Sequence, residues 1–190
     1  MFGEIFKCLI ALISQPAKAW ETLSEEEQSE NNEHFLANYI YPLLGLVAIA
    51  AFLGILFTRK EFHVELALKA SVKAFLSALG GFYLGAYLLN ELWDSVFKRE
   101  KDLKLCQRFT GYSSALLFVL SIVLALLPEF FFLKIFILYT VYIIWEGAAP
   151  YMKIEDHERM KFVGVSSAVI VLTPFVIEII LVLLMPGLRF

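Results

Sequence analysis

Polar residues divide the chain into five apolar runs, near residues 38–57, 70–93, 111–128, 129–149 and 163–185. Each is close to the roughly 20 residues that a helix needs to cross the hydrocarbon core of a bilayer. From Pro42 to Phe57 and from Val163 to Ile177 there is no charge. A helix of a soluble bundle would carry a polar face over such lengths. The pattern predicts an all-α polytopic membrane protein, a bundle of five transmembrane helices.

The N-terminus has a different period. Phe2, Ile5, Phe6, Leu9, Ile10 and Ile13 repeat at helical spacing, with Glu4, Lys7 and Ser14 off that face. This predicts an amphipathic helix that lies in the membrane interface or packs under the bundle. Pro16 ends it, because proline has no N–H to donate. Glu4 and Lys7 interrupt the apolar stretch that a signal peptide requires, so the N-terminus reads as retained. Residues 17–37 are acidic, with Glu25, Glu26 and Glu27 in a row, and read as a short helix around Lys18–Glu27 followed by a loop. The division expected is a cytosolic amphipathic helix and acidic segment over 1–37, then a five-span domain over 38–190.

Details within the runs refine this picture. Pro42 falls in the first turn of span one, where a missing N–H costs little. Gly81 and Gly85 form a small-xxx-small pair in span two, which permits close helix approach in lipid and offers a face to a second copy of the chain. Spans three and four meet at Pro128-Glu129 with almost no loop, which requires a tight hairpin. Pro174 predicts a kink in span five, its freed carbonyl satisfied by a neighbouring helix. No internal repeat supports an inverted-repeat transporter.

Composition agrees with the pattern. Of 190 residues, 59% are hydrophobic, above the 45–50% usual for soluble domains. The net charge of −3 gives no indication of nucleic acid. Basic residues are uneven: ten (Lys7, Lys18, Lys98, Arg99, Lys101, Lys104, Arg108, Lys153, Arg159, Lys161) fall on one side of the predicted topology and four (Arg59, Lys60, Lys69, Arg189) on the other. By the positive-inside rule the N-terminus is cytoplasmic and the C-terminus lies on the opposite side.

Charges inside the spans are costly and ask for a partner or for water. Lys73, Lys134 and Glu178 fall in the outer half. Either Glu178 pairs with Lys73 or Lys134, or both lysines snorkel and Glu178 is neutral or hydrated. Glu91, Asp94 and Glu146 fall toward the inner end, either around a cavity open to the cytoplasm or dispersed in interfacial water. His34, His63 and His157 sit in three separate loops, and Cys8 and Cys106 are isolated, so no metal site or cofactor is expected. No nucleophile elbow, zinc-protease motif or phosphate loop occurs, and no catalytic residue is assigned.

Several elements carry a family resemblance. Gln15-Pro16-Ala17-Lys18-Ala19-Trp20-Glu21 is similar to a proline-plus-aromatic opening; Tyr39-Ile40-Tyr41-Pro42-Leu43-Leu44 leads into span one; Thr110-Gly111-Tyr112-Ser113-Ser114 is similar to a Gly-Tyr element opening span three. In that order they resemble the bacterial branch of the Yip (Ypt/Rab-interacting protein) membrane family. The resemblance implies five spans, a cytosolic N-terminus and integral membrane localisation, here a bacterial inner membrane. Eukaryotic relatives imply trafficking and partner scaffolding. Their Asp-Leu-Tyr-Gly-Pro element is absent from this chain, so Rab-type GTPase binding does not carry over. Read from the residues alone, Gly111 allows close backbone approach and Tyr112 is an interfacial anchor with a wet hydroxyl.

The function expected is a non-enzymatic scaffold for partner proteins or membrane organisation. The alternative is a small transporter, channel or lipid-moving protein that uses the charges within the spans. Membrane lipids, partner proteins and a second copy of the chain are the expected partners.

Overall fold

The computed structural model describes residues 2–26, 32–58 and 64–184, and among these there is helix and no strand. Glu27, Arg59, Lys60, His63 and Arg189, named above, lie outside the described residues. Eight helices follow in order: α1 (Phe2–Ser14), α2 (Pro16–Glu26), α3 (Asn32–Thr58), α4 (Val64–Ser95), α5 (Leu103–Ser113), α6 (Ala115–Leu126), α7 (Pro128–Ala148) and α8 (Asp156–Leu184).

Four of them, α3, α4, α7 and α8, are long and apolar enough to cross a membrane. The pair α5–α6 passes the same test as a unit but is bent by 44° at Ser114, giving up to five spans. The third span is therefore not the straight rod over 111–128 that its hydropathy suggests. Its helix begins at Leu103, where Asp102 caps it by accepting the Leu105 N–H at 3.0 Å. Polar residues start this helix before the apolar run does, and Ser114 breaks it inside the run.

The same reason displaces other boundaries. Residues 32–37, expected as loop, are helical, so Pro42 lies well inside α3 and not in its first turn. A π-helical stretch, Leu36–Ile40, precedes it, and the Tyr41 N–H reaches back to the Leu36 carbonyl. Such a bulge shifts the hydrogen-bond register where proline would otherwise clash. Helix α6 ends at Leu126 and α7 starts at Pro128, so the hairpin has one linking residue. The first half of α7, Pro128–Leu138, is wound as a 3₁₀ helix and buries none of its residues.

Neighbouring elements pack α3 on α4 and α6, α4 on α5 and α8, and α7 on α8, α6 and α2. The direction of the chain alternates. One end gathers α1, α2, the start of α3, the end of α4 and the start of α8 around buried Trp20, Phe35, Trp93, Phe109 and Phe162. The opposite end gathers the last turns of α3, α6 and α8 with the first turns of α4 and α7. Exposed Phe131, Phe132, Ile135, Leu183 and Leu184 mark this end as apolar on the outside.

Candidate functional site

At that second end, α3, α4, α6, α7 and α8 enclose a cavity of about 480 Å³. Its walls are apolar, with Val47, Ala51, Leu120 and Leu124 among them. Lys73, Lys134 and Glu178 all line it. The Lys73 Nζ lies 3.2 Å from the Glu178 Oε1, with 20% and 46% of the two side chains exposed. The pair thus faces the cavity mouth. Lys134 has no carboxylate partner among the described residues, so the three side chains leave one net positive charge there. Ser121 also lines the cavity, a residue that the sequence gives no reason to single out.

The glycines of α4 mark where it packs against α8 and α5. A Cβ on Gly81 would lie 2.7 Å from Cγ and 3.0 Å from Cα of Pro174. One on Gly85 would meet Thr110 and Thr173 at 3.6–3.8 Å, an ordinary contact. The stripe is thus filled by the chain's own α8 and α5 and is not available to a second copy. At Pro174, inside α8, the neighbouring hydroxyl of Ser77 donates to the carbonyl of Pro174 itself, at 2.9 Å, and not to the carbonyl that the missing N–H frees.

At the first end lies an aromatic knot. Trp20 is fully buried, and its Nε1–H donates to the Ile143 carbonyl at 2.8 Å. Its ring sits 5.2 Å from Phe109 and 5.0 Å from Tyr151, centroid to centroid. Tyr112 packs on Phe35 at 4.9 Å and on Tyr39 at 5.0 Å. Gly111 permits this: a Cβ there would stand 2.6 Å from Phe35 and 2.7 Å from Ile40. Pro16 is buried and opens α2. Tyr112 is only 5% exposed, so it is a core residue and not a wet interfacial anchor. Tyr41 stays outside the knot, half-exposed, its hydroxyl 2.9 Å from that of Tyr83. The sequence elements Trp20, Gly111 and Tyr112 are therefore parts of one packed assembly.

A family model for the Yip1 domain matches residues 10–185. The chain belongs to the Yip1 domain family. No curated protein and no solved structure gives a significant match. The matched region of this Yip1 chain takes in the knot, all the spans and the cavity.

The carboxylates Glu91, Asp94 and Glu146 of the Yip1 chain do not form one cluster. Glu91 Oε2 is 2.6 Å from Lys101 Nζ, and this bond, with Asp94 close by, holds the Lys101 ammonium above its usual pKa. Glu146 sits instead beside Tyr142 on α7. Among the described residues no three His, Cys, Asp or Glu side chains come together as a metal ion would need. Two of the basic residues near this end, Arg99 and Arg159, are engaged internally. Arg99 donates to the Lys153 carbonyl at 3.0 Å and lies over Trp93. Arg159 donates to the Trp145 carbonyl at 2.8 Å with its guanidinium 4.3 Å from that ring.

Several uncharged polar side chains are also buried. Asn90 Oδ1 and the hydroxyls of Thr110, Ser113, Thr140 and Ser167 have no partner among the described residues. Thr110 and Thr173 both lie beside Gly85. The hydropathy of the runs gives no sign of Thr140 and Ser167, because single hydroxyls barely change it.

Proposed function

We propose that this Yip1-family chain is a non-enzymatic membrane scaffold of the bacterial branch, set in a bacterial inner membrane. In this reading the knot and α1–α2 face the cytoplasm and the far end of α8 lies on the other side, as the distribution of basic residues supports.

The observation that carries the scaffold reading is the ledge made by α1 and α2. Trp20 ties α2 to α7 through the Ile143 carbonyl. Helix α1 buries Ile5, Leu9 and Leu12, yet Phe6 and Ile10 remain 51% and 63% exposed. One apolar side thus serves the protein's own core and the other is free for a partner or the membrane surface. Lys7 and Lys18 flank a groove of about 600 Å³ between the two helices. The test is a photo-crosslinking residue placed at Phe6 or Ile10 in growing cells. A discrete protein adduct that disappears with Ile10→Asp is expected. Adducts with lipid alone would overturn the scaffold reading.

A second reading, a small transporter or lipid-moving protein, is favoured by the cavity shared by Lys73, Lys134 and Glu178. Reconstituted vesicles that scramble lipid or pass ions faster than empty ones would decide for it.

A further inference from the structure

We propose that the cavity between α3, α4, α6, α7 and α8 is a binding site for one anionic phospholipid, with its phosphodiester at Lys134 and Lys73 and its upper acyl chain against the apolar walls. The proposal goes beyond both readings above, since a lipid can be held without being moved.

Three observations converge on it. The first is charge. Lys73 and Glu178 are 3.2 Å apart and largely cancel, while Lys134 faces the same space without a carboxylate partner among the described residues. A lysine at the apolar end of a bundle is costly unless an anion or water meets it. One surplus positive charge is complementary to one phosphodiester. The second is the wall. Val47, Ala51, Leu120 and Leu124 give a free ion nothing to bind, but they suit the first methylenes of an acyl chain. The third is access. Pro128–Leu138, which carries Lys134, has no buried residue, and Phe131, Ile135 and Phe136 point outward on the same stretch. A lipid can therefore reach the lysine sideways from the bilayer. The volume, about 480 Å³, lies within the roughly 300–1,000 Å³ of ordinary ligand sites.

Glu178 adds selectivity. Its carboxylate neutralises Lys73 and opposes a second negative charge, so a monoanionic headgroup is favoured over a dianionic one. The test is native mass spectrometry of the full chain in detergent, titrated with phosphatidylglycerol, with phosphatidylcholine, and with phosphatidylglycerol in the presence of inorganic phosphate. The wild type should retain one phosphatidylglycerol in clear preference to phosphatidylcholine. Lys134→Gln should weaken that retention by about tenfold, the loss expected for one charged hydrogen bond. Ser121→Trp, which fills the cavity and leaves the charges alone, should abolish it. Lys101→Gln at the opposite end should leave it unchanged, and melting curves would show that each variant is folded. Equal retention of the two lipids, or unchanged retention in folded Lys134→Gln and Ser121→Trp, would overturn the proposal. Displacement of the lipid by millimolar inorganic phosphate would assign the site to a free anion and overturn it as well.

Discussion

Gly147→Ala is a small substitution with a large expected cost. A Cβ at this position would stand 2.5 Å from Trp20 Cε2 and 2.8 Å from Cδ2 and Cζ2, where 3.4–4 Å is ordinary contact. The ring would have to retreat by about 1 Å to restore a normal contact. It cannot do so freely, because Phe109 and Tyr151 lie against it and its Nε1–H is fixed on the Ile143 carbonyl. Overpacking of this kind costs about 1–3 kcal/mol. Loss of the indole hydrogen bond adds about 1 kcal/mol. The better helix propensity of alanine returns a little under 1 kcal/mol. The net is a destabilisation of about 1–3 kcal/mol. The reporter is the Cys106 thiol, fully buried in the same core, followed with a maleimide dye on heating in a Cys8→Ser background. Gly147→Ala should expose it at a clearly lower temperature. Combining it with Trp20→Phe should cost less than the two separate losses together, because the clash is with the indole. Wild-type stability in Gly147→Ala, or strict additivity in the double variant, would refute the packing described for the knot.

Further outcomes follow from the same geometry. Gly81→Ala should destabilise by about 1–3 kcal/mol through its clash with Pro174, whereas Gly85→Ala, which meets only ordinary contacts, should be near neutral; equal melting temperatures for the two would contradict the α4–α8 contact. Lys153 holds a left-handed backbone, φ 53°, in the linker between α7 and α8, so Lys153→Gly should stabilise by up to about 1 kcal/mol in the same thiol assay. Lys73→Met should lose more stability alone than together with Glu178→Gln, the difference being at most about 1 kcal/mol for a part-exposed pair. Separate losses that simply add would show that the two charges do not interact.

The hydropathy of the chain reveals much of this fold because lipid leaves little room for polar residues on a spanning helix. The runs that became α3, α4, α7 and α8 are legible for that reason, and so is the hairpin at Pro128. Depth along an axis is also legible, since each residue adds 1.5 Å. It brings Lys73, Lys134 and Glu178 to one level, and all three line one cavity. Rotation about the axis is not legible. Glu91 and Glu146 share a depth, yet one turns to Lys101 and the other to Tyr142. Helix starts built from polar residues were hidden too, as at Asn32 and Leu103. The knot was visible only as isolated elements, because Trp20 and its acceptor Ile143 are 123 positions apart.

The proposed topology takes the bent pair α5–α6 as a fifth span and so puts the two ends of the bundle on opposite sides of the membrane. It is tested by single cysteines at Ser14 and Leu188 in a Cys8→Ser, Cys106→Ser background, probed with a membrane-impermeant maleimide in intact cells and in everted vesicles. Ser14→Cys should react only in everted vesicles and Leu188→Cys only in intact cells. If both react from the same side, the chain crosses an even number of times and the bent pair is not a span.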